Sequence, residues 1–165
     1  MASVIKQWKK FSTLLSDIDS STNDKQHFYN VISDWLTSNR NLFSDQVWDC
    51  YHLGYFASLD PSQYRVGSAE DSVSVSIEVL ISAEPSSLST MAMFIRDTLW
   101  DMVAYKTRVR CPNCEDDDLR GLIEPGSQEI VLSCDLCLWS QLPSGKKWSG
   151  PKTLVPANKT QLSGL

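Results

Sequence analysis

Two cysteine pairs, Cys111-Pro-Asn-Cys114 and Cys134-Asp-Leu-Cys137, stand nineteen residues apart in a chain of 165. A Cys-x2-Cys turn presents two thiolates from one tight loop to the same side, and two such turns brought together complete a tetrahedral shell of soft ligands. That chemistry is zinc binding, with one Zn2+ held by Cys111, Cys114, Cys134 and Cys137. Two disulfides are the competing use of the same residues and would suit an exported protein in an oxidising compartment. The start Met-Ala-Ser-Val-Ile-Lys-Gln-Trp-Lys-Lys has neither a long apolar core nor a small-residue cleavage site. No run approaches the roughly eighteen apolar residues of a membrane span. The expectation is therefore a cytoplasmic chain whose paired cysteines hold metal. Four thiolates leave no open position for water, so the expected zinc is structural rather than Lewis-acidic.

The remaining reactive side chains form no second constellation. His27 and His52 are the only two histidines, and Cys50 sits two residues from His52. On a helix that offset points to another face, so a Cys/His nucleophile pair is not expected, and Cys50 reads as a small buried hydrophobe. The seven glycines form neither G-x-G-x-x-G nor G-x-x-x-x-G-K-[ST], and H-E-x-x-H is absent. Acids are abundant, but the run Glu115-Asp116-Asp117-Asp118 falls in an exposed loop, where carboxylates stay ionised instead of rising to general-acid range. No enzymatic activity is expected.

The elements that must position the cysteines read as follows. Leu119–Glu124 and Glu129–Cys134 are strands around the turn signal Pro125-Gly-Ser-Gln128, and Leu138–Leu142 offers a third strand carrying Trp139. Cys111 to about Leu142 thus resembles a zinc ribbon, over about a fifth of the chain. Ahead of it the period is helical. Ser3 caps a helix with a stripe of Val4, Ile5, Trp8, Phe11, Leu14, Leu15 and Ile18. A second helix runs from Asp24 to about Asn39 over Phe28, Val31, Ile32, Trp35 and Leu36. Ser44 caps a third, Asp45 to Ser58, and Asp60-Pro61 begins another. Residues 68–84 alternate Val73, Val75, Ile77, Val79 and Ile81 as a strand would. A capping pattern at Ser68 and Asp71, and the absence of a partner strand among helices, favour a largely buried helix. Ser87 caps the last helix, with Leu88, Met91, Ile95, Leu99, Met102 and Val103 facing the core. The expected architecture is α+β: a helical domain over 1–105, a zinc ribbon over 106–142 docked on it with no flexible linker, and an extended C-terminal tail over 143–165.

Charge is segmental within a net −5: residues 17–103 carry −9, residues 111–137 carry −6, and residues 104–110 and 138–165 carry +3 and +4. Acidic blocks of this size suit a basic partner, with Glu70, Asp71, Glu78, Glu84, Glu115, Asp116, Asp117 and Asp118 as the candidate partner-binding surface. Trp139 and Trp148 are the candidate anchors, since Trp is enriched at interface hot spots. A small, acidic, metal-stapled chain with no catalytic set resembles bacterial immunity proteins of contact-dependent inhibition and other polymorphic toxin systems, and Leu154-Val-Pro-Ala-Asn-Lys159 is similar to some of their tails. That resemblance implies stoichiometric neutralisation of a cognate toxin expected to be basic, such as a nuclease. The alternative is a nucleic-acid or transcription-associated zinc-ribbon protein. Ribbon proteins that reach a polymerase active site carry an acidic pair at the hairpin tip, and the tip Glu124-Pro-Gly-Ser127 departs from that pattern. The ribbon's one Arg against seven acids also disfavours phosphate binding.

Overall fold

A computed structural model describes residues 2–66 and 72–164. It has a helical N-terminal body and a small antiparallel sheet near the C-terminus, the expected α+β class. The chain divides into two compact units, Met1–Pro61 with Ala69–Asp101, and Ser62–Ser68 with Met102–Leu165.

The first unit is built from α1 (Ala2–Ser16), α2 (Lys25–Ser38), α3 (Asp45–Cys50), α4 (Leu53–Ser58), α5 (Val73–Ser82) and most of α6 (Leu88–Val103). Trp8, Phe11 and Leu15, spaced three and four apart, form the buried stripe of α1. The Phe11 ring lies 5.3 Å from Trp8 and 4.6 Å from Trp35 of α2, and Trp8 reaches Phe94 of α6 at 6.2 Å. The stripe is narrower than the sequence implies: Ile5 is 60% exposed and Leu14 also faces solvent. The helix starts at Ala2, so Ser3 lies inside it and not ahead of it. Asp24 accepts the His27 amide at 2.9 Å to start α2, and Ser44, Ser72 and Ser87 accept amides three residues on.

The expected helix over Asp45–Ser58 is two short helices. His52 adopts φ 51° and ψ 34°, a left-handed conformation that breaks the hydrogen-bond ladder and redirects α4. Gly54 permits the turn, because a Cβ there would lie 2.7 Å from the Trp48 indole nitrogen. Leu53 and Phe56 then enter the core, where the Tyr29 hydroxyl donates to the Phe56 carbonyl at 2.7 Å. Cys50 is exposed, not the buried hydrophobe expected. Asp60-Pro61 opens only a single turn of 3-10 helix, Pro61–Gln63.

The ambiguous segment is helical, but only Val73, Ile77 and Leu80 are buried, while Val75, Val79 and Ile81 are exposed. The capping signal at Ser68 and Asp71 lies outside the described residues; the observed cap is Ser72. Among the described residues no helix is long and apolar enough to cross a membrane.

The second unit holds one antiparallel sheet of β1 (Lys106–Arg110), β2 (Asp118–Ile123), β3 (Ile130–Ser133), β4 (Ser140–Gln141) and β5 (Val155–Pro156), in the order β1-β2-β3-β4. The β2–β3 hairpin pairs Ile123 with Ile130 and Arg120 with Ser133. On the other edge of β2, β1 pairs with its first half and β5 with Leu122 and Ile123. The stretch expected as an extended tail therefore supplies a strand. Ala157 and Leu162 are fully buried with Ile123, so the tail completes a small core instead of lying over the surface.

Candidate metal centre and adjoining groove

The two Cys-x2-Cys turns are built alike. The first lies between β1 and β2 and the second between β3 and β4. In the first, the Cys111 amide donates to the Asp117 carbonyl at 2.8 Å, and the Glu115 amide donates back to Cys111 at 3.0 Å. In the second, the Cys134 amide donates to Trp139 at 2.8 Å and the Leu138 amide to Cys134 at 3.1 Å. Each turn closes on a residue four past its first cysteine in the left-handed region, Glu115 at φ 60° and Leu138 at φ 59°. That reversal aims both side chains of a pair inward.

The four thiols converge. Their sulfurs lie within 4.8 Å of one another, with Cys111 and Cys137 at 3.5 Å and Cys114 and Cys134 at 3.7 Å. Sulfurs set tetrahedrally at ~2.3 Å around one ion stand about 3.8 Å apart, so the cluster could hold a metal ion with little rearrangement. None of the four is in a disulfide. Cys111 and Cys134 are buried, and Leu119 and Leu132 close the inner side with Trp139 packed against them. Burial pushes the Cys134 thiol up to about 12, whereas a hydrogen bond with the Asn113 side chain and the Trp139 amide hold Cys137 down to about 6. A cation at the centre is what makes four adjacent thiolates compatible. Arg120 of β2 braces the second turn: it donates to the Ala104 carbonyl at 2.8 Å and pairs with Asp135.

Glu115 is exposed and strained by its positive φ. Glu115→Gly should raise stability by about 1 kcal/mol, because glycine enters the left-handed region freely and only part of that gain returns as unfolded-chain entropy. Denaturant unfolding of the two proteins checks this; a loss of stability would mean that the Glu115 side chain contributes more than its backbone costs.

No family model, curated protein or solved structure matches this chain.

The predicted partner-binding acids are distributed. Glu78 and Glu84 are exposed in the first unit, Glu84 beside a depression of about 520 Å³ lined by Trp8, Ile81 and Pro85. Glu70 and Asp71 lie outside the described residues. In the second unit, Asp117 pairs with Lys106 and Asp118 with Arg110. Burial raises the Asp117 carboxyl, but the Lys106 ammonium, the Asp118 amide and the Arg120 charge together outweigh it and the net shift is downward. Of that cluster, Glu115 and Asp116 are the two exposed acids, so it projects less negative charge than its sequence suggests. His27 and His52 are both exposed and in separate helical turns.

At the hairpin tip, Glu124 folds back. Its carboxylate accepts the Gly126 amide at 3.0 Å and the Ser127 amide as well, and these bonds, Gly126 first, lower its pKa from 4.5. A depressed carboxyl contributes stability that is present above the unfolded pKa and is lost as pH falls through the folded one. Glu124→Gln should therefore flatten the acid limb of the stability profile below about pH 4.5. Unfolding midpoints at stepped pH report it, and an unchanged acid limb would remove Glu124 from that role.

The predicted Trp anchors come together. Trp139 and Trp148 line a groove of about 730 Å³ beside the second cysteine turn, with Leu138, Lys147, Lys152 and Leu154. The Pro143-Ser-Gly145 stretch, at the start of the expected extended tail, makes a tight return with Gly145 at φ 84°. Leu142 then bonds Lys146 and Trp148 bonds Ser140, both at 2.8 Å. Lys147 lies 4.9 Å from the centre of the Trp139 ring. Gly150 lets the chain cross the Trp148 ring, where a Cβ would come within 2.2 Å. Lys152 was not singled out from sequence, and Leu138 was read only as the start of a strand; the Pro-Ser-Gly turn signal between Trp139 and Lys147-Trp148 is what could have found the groove.

Proposed function

We propose that this is a zinc protein that acts stoichiometrically on another protein, as an immunity protein acts on its cognate toxin. The observation that carries the reading is apolar surface on the rigid second cysteine turn. Leu136 is 65% and Leu138 79% exposed, on either side of Cys137, with Trp139 and Trp148 beside them. Large apolar side chains held out on a fixed scaffold, next to half-buried indoles, are the anatomy of a binding surface and not of a self-sufficient core. The ion would be zinc, because four thiolates at tetrahedral spacing suit it best. Bound by all four, it would have no open coordination position, so its work is to fix Leu136, Leu138 and the neighbouring indoles in place. The immunity assignment itself is supported by the acidic segments and the tail Leu154–Lys159.

The reading expects a toxin gene immediately upstream of this one, and the test uses the toxin domain that gene would encode; a neighbourhood without one would contradict the immunity assignment. Titration should give a one-to-one complex that neutralises the toxin only at stoichiometric amounts. Leu136→Asp with Leu138→Asp should weaken it at least about tenfold. Neutralisation at catalytic amounts, or a complex indifferent to both substitutions, would contradict the reading.

A further inference from the structure

We infer that the groove between Trp139 and Trp148 receives an extended acidic segment of the partner protein, an inference that rests on the protein-binding role proposed above. Lys147 and Lys152 line the groove and, among the described residues, no carboxylate does. Neither lysine is in an ion pair among the described residues, and the Lys147 ammonium is held over the Trp139 ring. An anionic group entering there meets two positive charges beside an apolar wall, where a charge-assisted hydrogen bond is stronger than in open water.

The indoles offer the groove ring surface and not hydrogen bonds. Trp139 donates its N–H to the Gln141 side chain and Trp148 to the Pro151 carbonyl, each at 3.1 Å. With Leu138 and Leu154 they form sockets for apolar side chains. Backbone polarity selects a peptide. Residues 146 and 148 make the hydrogen bonds to 142 and 140, while Lys147, opposite Gln141, is a non-hydrogen-bonded pair. Its amide and carbonyl therefore point away from β4, the open-edge arrangement to which an extended strand adds. A polyphosphate chain fits less well: it brings no apolar side chains to the wall of Leu138, Trp139, Trp148 and Leu154, and the positive track ends at Lys146, Lys147 and Lys152. Carboxylates alternating with apolar side chains match both the lysines and the sockets.

The probe is an acetylated, amidated heptapeptide Glu-Val-Asp-Leu-Glu-Val-Asp, titrated calorimetrically into the full-length zinc-loaded protein. Controls are the same peptide with lysine for every acid, and a ten-nucleotide thymidine single strand. The acidic peptide should bind, weaken with salt, and lose about tenfold or more in affinity with Lys147→Glu and Lys152→Glu together. Both lysines are exposed, so the variant should keep its zinc and its unfolding midpoint, which are measured alongside. Equal binding of the lysine peptide, or no binding of the acidic one, overturns the inference; tighter binding of the thymidine strand replaces the peptide with nucleic acid. The same double variant is then titrated with the toxin domain. A full-strength complex there defeats the groove alone, whereas failure of the unsubstituted protein to bind the toxin defeats the protein-binding reading itself.

Discussion

Cys134→Ser should leave residues 102–165 without a stable sheet. Cys134 is 1% exposed, its sulfur faces Cys114 at 3.7 Å, and among the described residues the buried cluster around it is small, Cys111, Leu119 and Leu132 with partly buried neighbours. So small a cluster would hold two turns against chain entropy far less well without the proposed ion. Structural zinc in finger peptides contributes an apparent ~10–16 kcal/mol of coupled binding and folding, as much as the whole stability of an ordinary domain. Loss of one thiolate should release the metal and collapse the amide dispersion of β2 and β3 in a nitrogen-edited NMR spectrum. Cys50→Ser is the control: it is exposed in the first unit and should change stability by no more than about 0.5 kcal/mol. A Cys134→Ser protein with unchanged spectra would mean that the sheet stands without metal.

In the helical unit the largest single loss should come from Phe11→Ala. Phe11 is fully buried between Trp8 at 5.3 Å and Trp35 at 4.6 Å, and those rigid indoles cannot close over the space that a phenyl ring leaves. Large-to-small changes at such sites cost ~3–5 kcal/mol through lost transfer energy and the residual cavity, with the aromatic contacts adding to the loss. Urea unfolding followed by tryptophan fluorescence reads it directly. Ile5→Ala on the same helix, at 60% exposure, should cost under about 1 kcal/mol. Equal losses at the two positions would mean that α1 buries a different face.

Local chemistry was legible in the sequence and non-local assembly was not. The cysteine spacing, the β2–β3 hairpin and the Ser44 and Ser87 caps each depend on residues a few positions apart, and the structure has them. The segment around α5 shows why its reading was ambiguous. Val73 and Ile77 are four apart, a spacing that satisfies a strand period of two and a helical period of 3.6 equally. Only Leu80, buried three residues further on, breaks the tie. The break at His52 carries no glycine or proline of its own; its signal is displaced to Gly54, which matters because of Trp48. Strands β1 and β5 escaped because Lys-Thr-Arg-Val-Arg looks like a polar connector and two residues are too few to show a period. Their existence is decided by the free edge of β2. The pairing of Asp117 and Asp118 with Lys106 and Arg110 follows from that same edge. So a charge run that reads as open acidic surface is half spent on holding β1.

Mass spectrometry of the purified chain under native conditions tests the central claim most directly. The account predicts one zinc per chain, with all four clustered cysteines recovered as free thiols once the ion is chelated and the protein unfolded. A metal-free chain carrying two disulfides among Cys111, Cys114, Cys134 and Cys137 would contradict it.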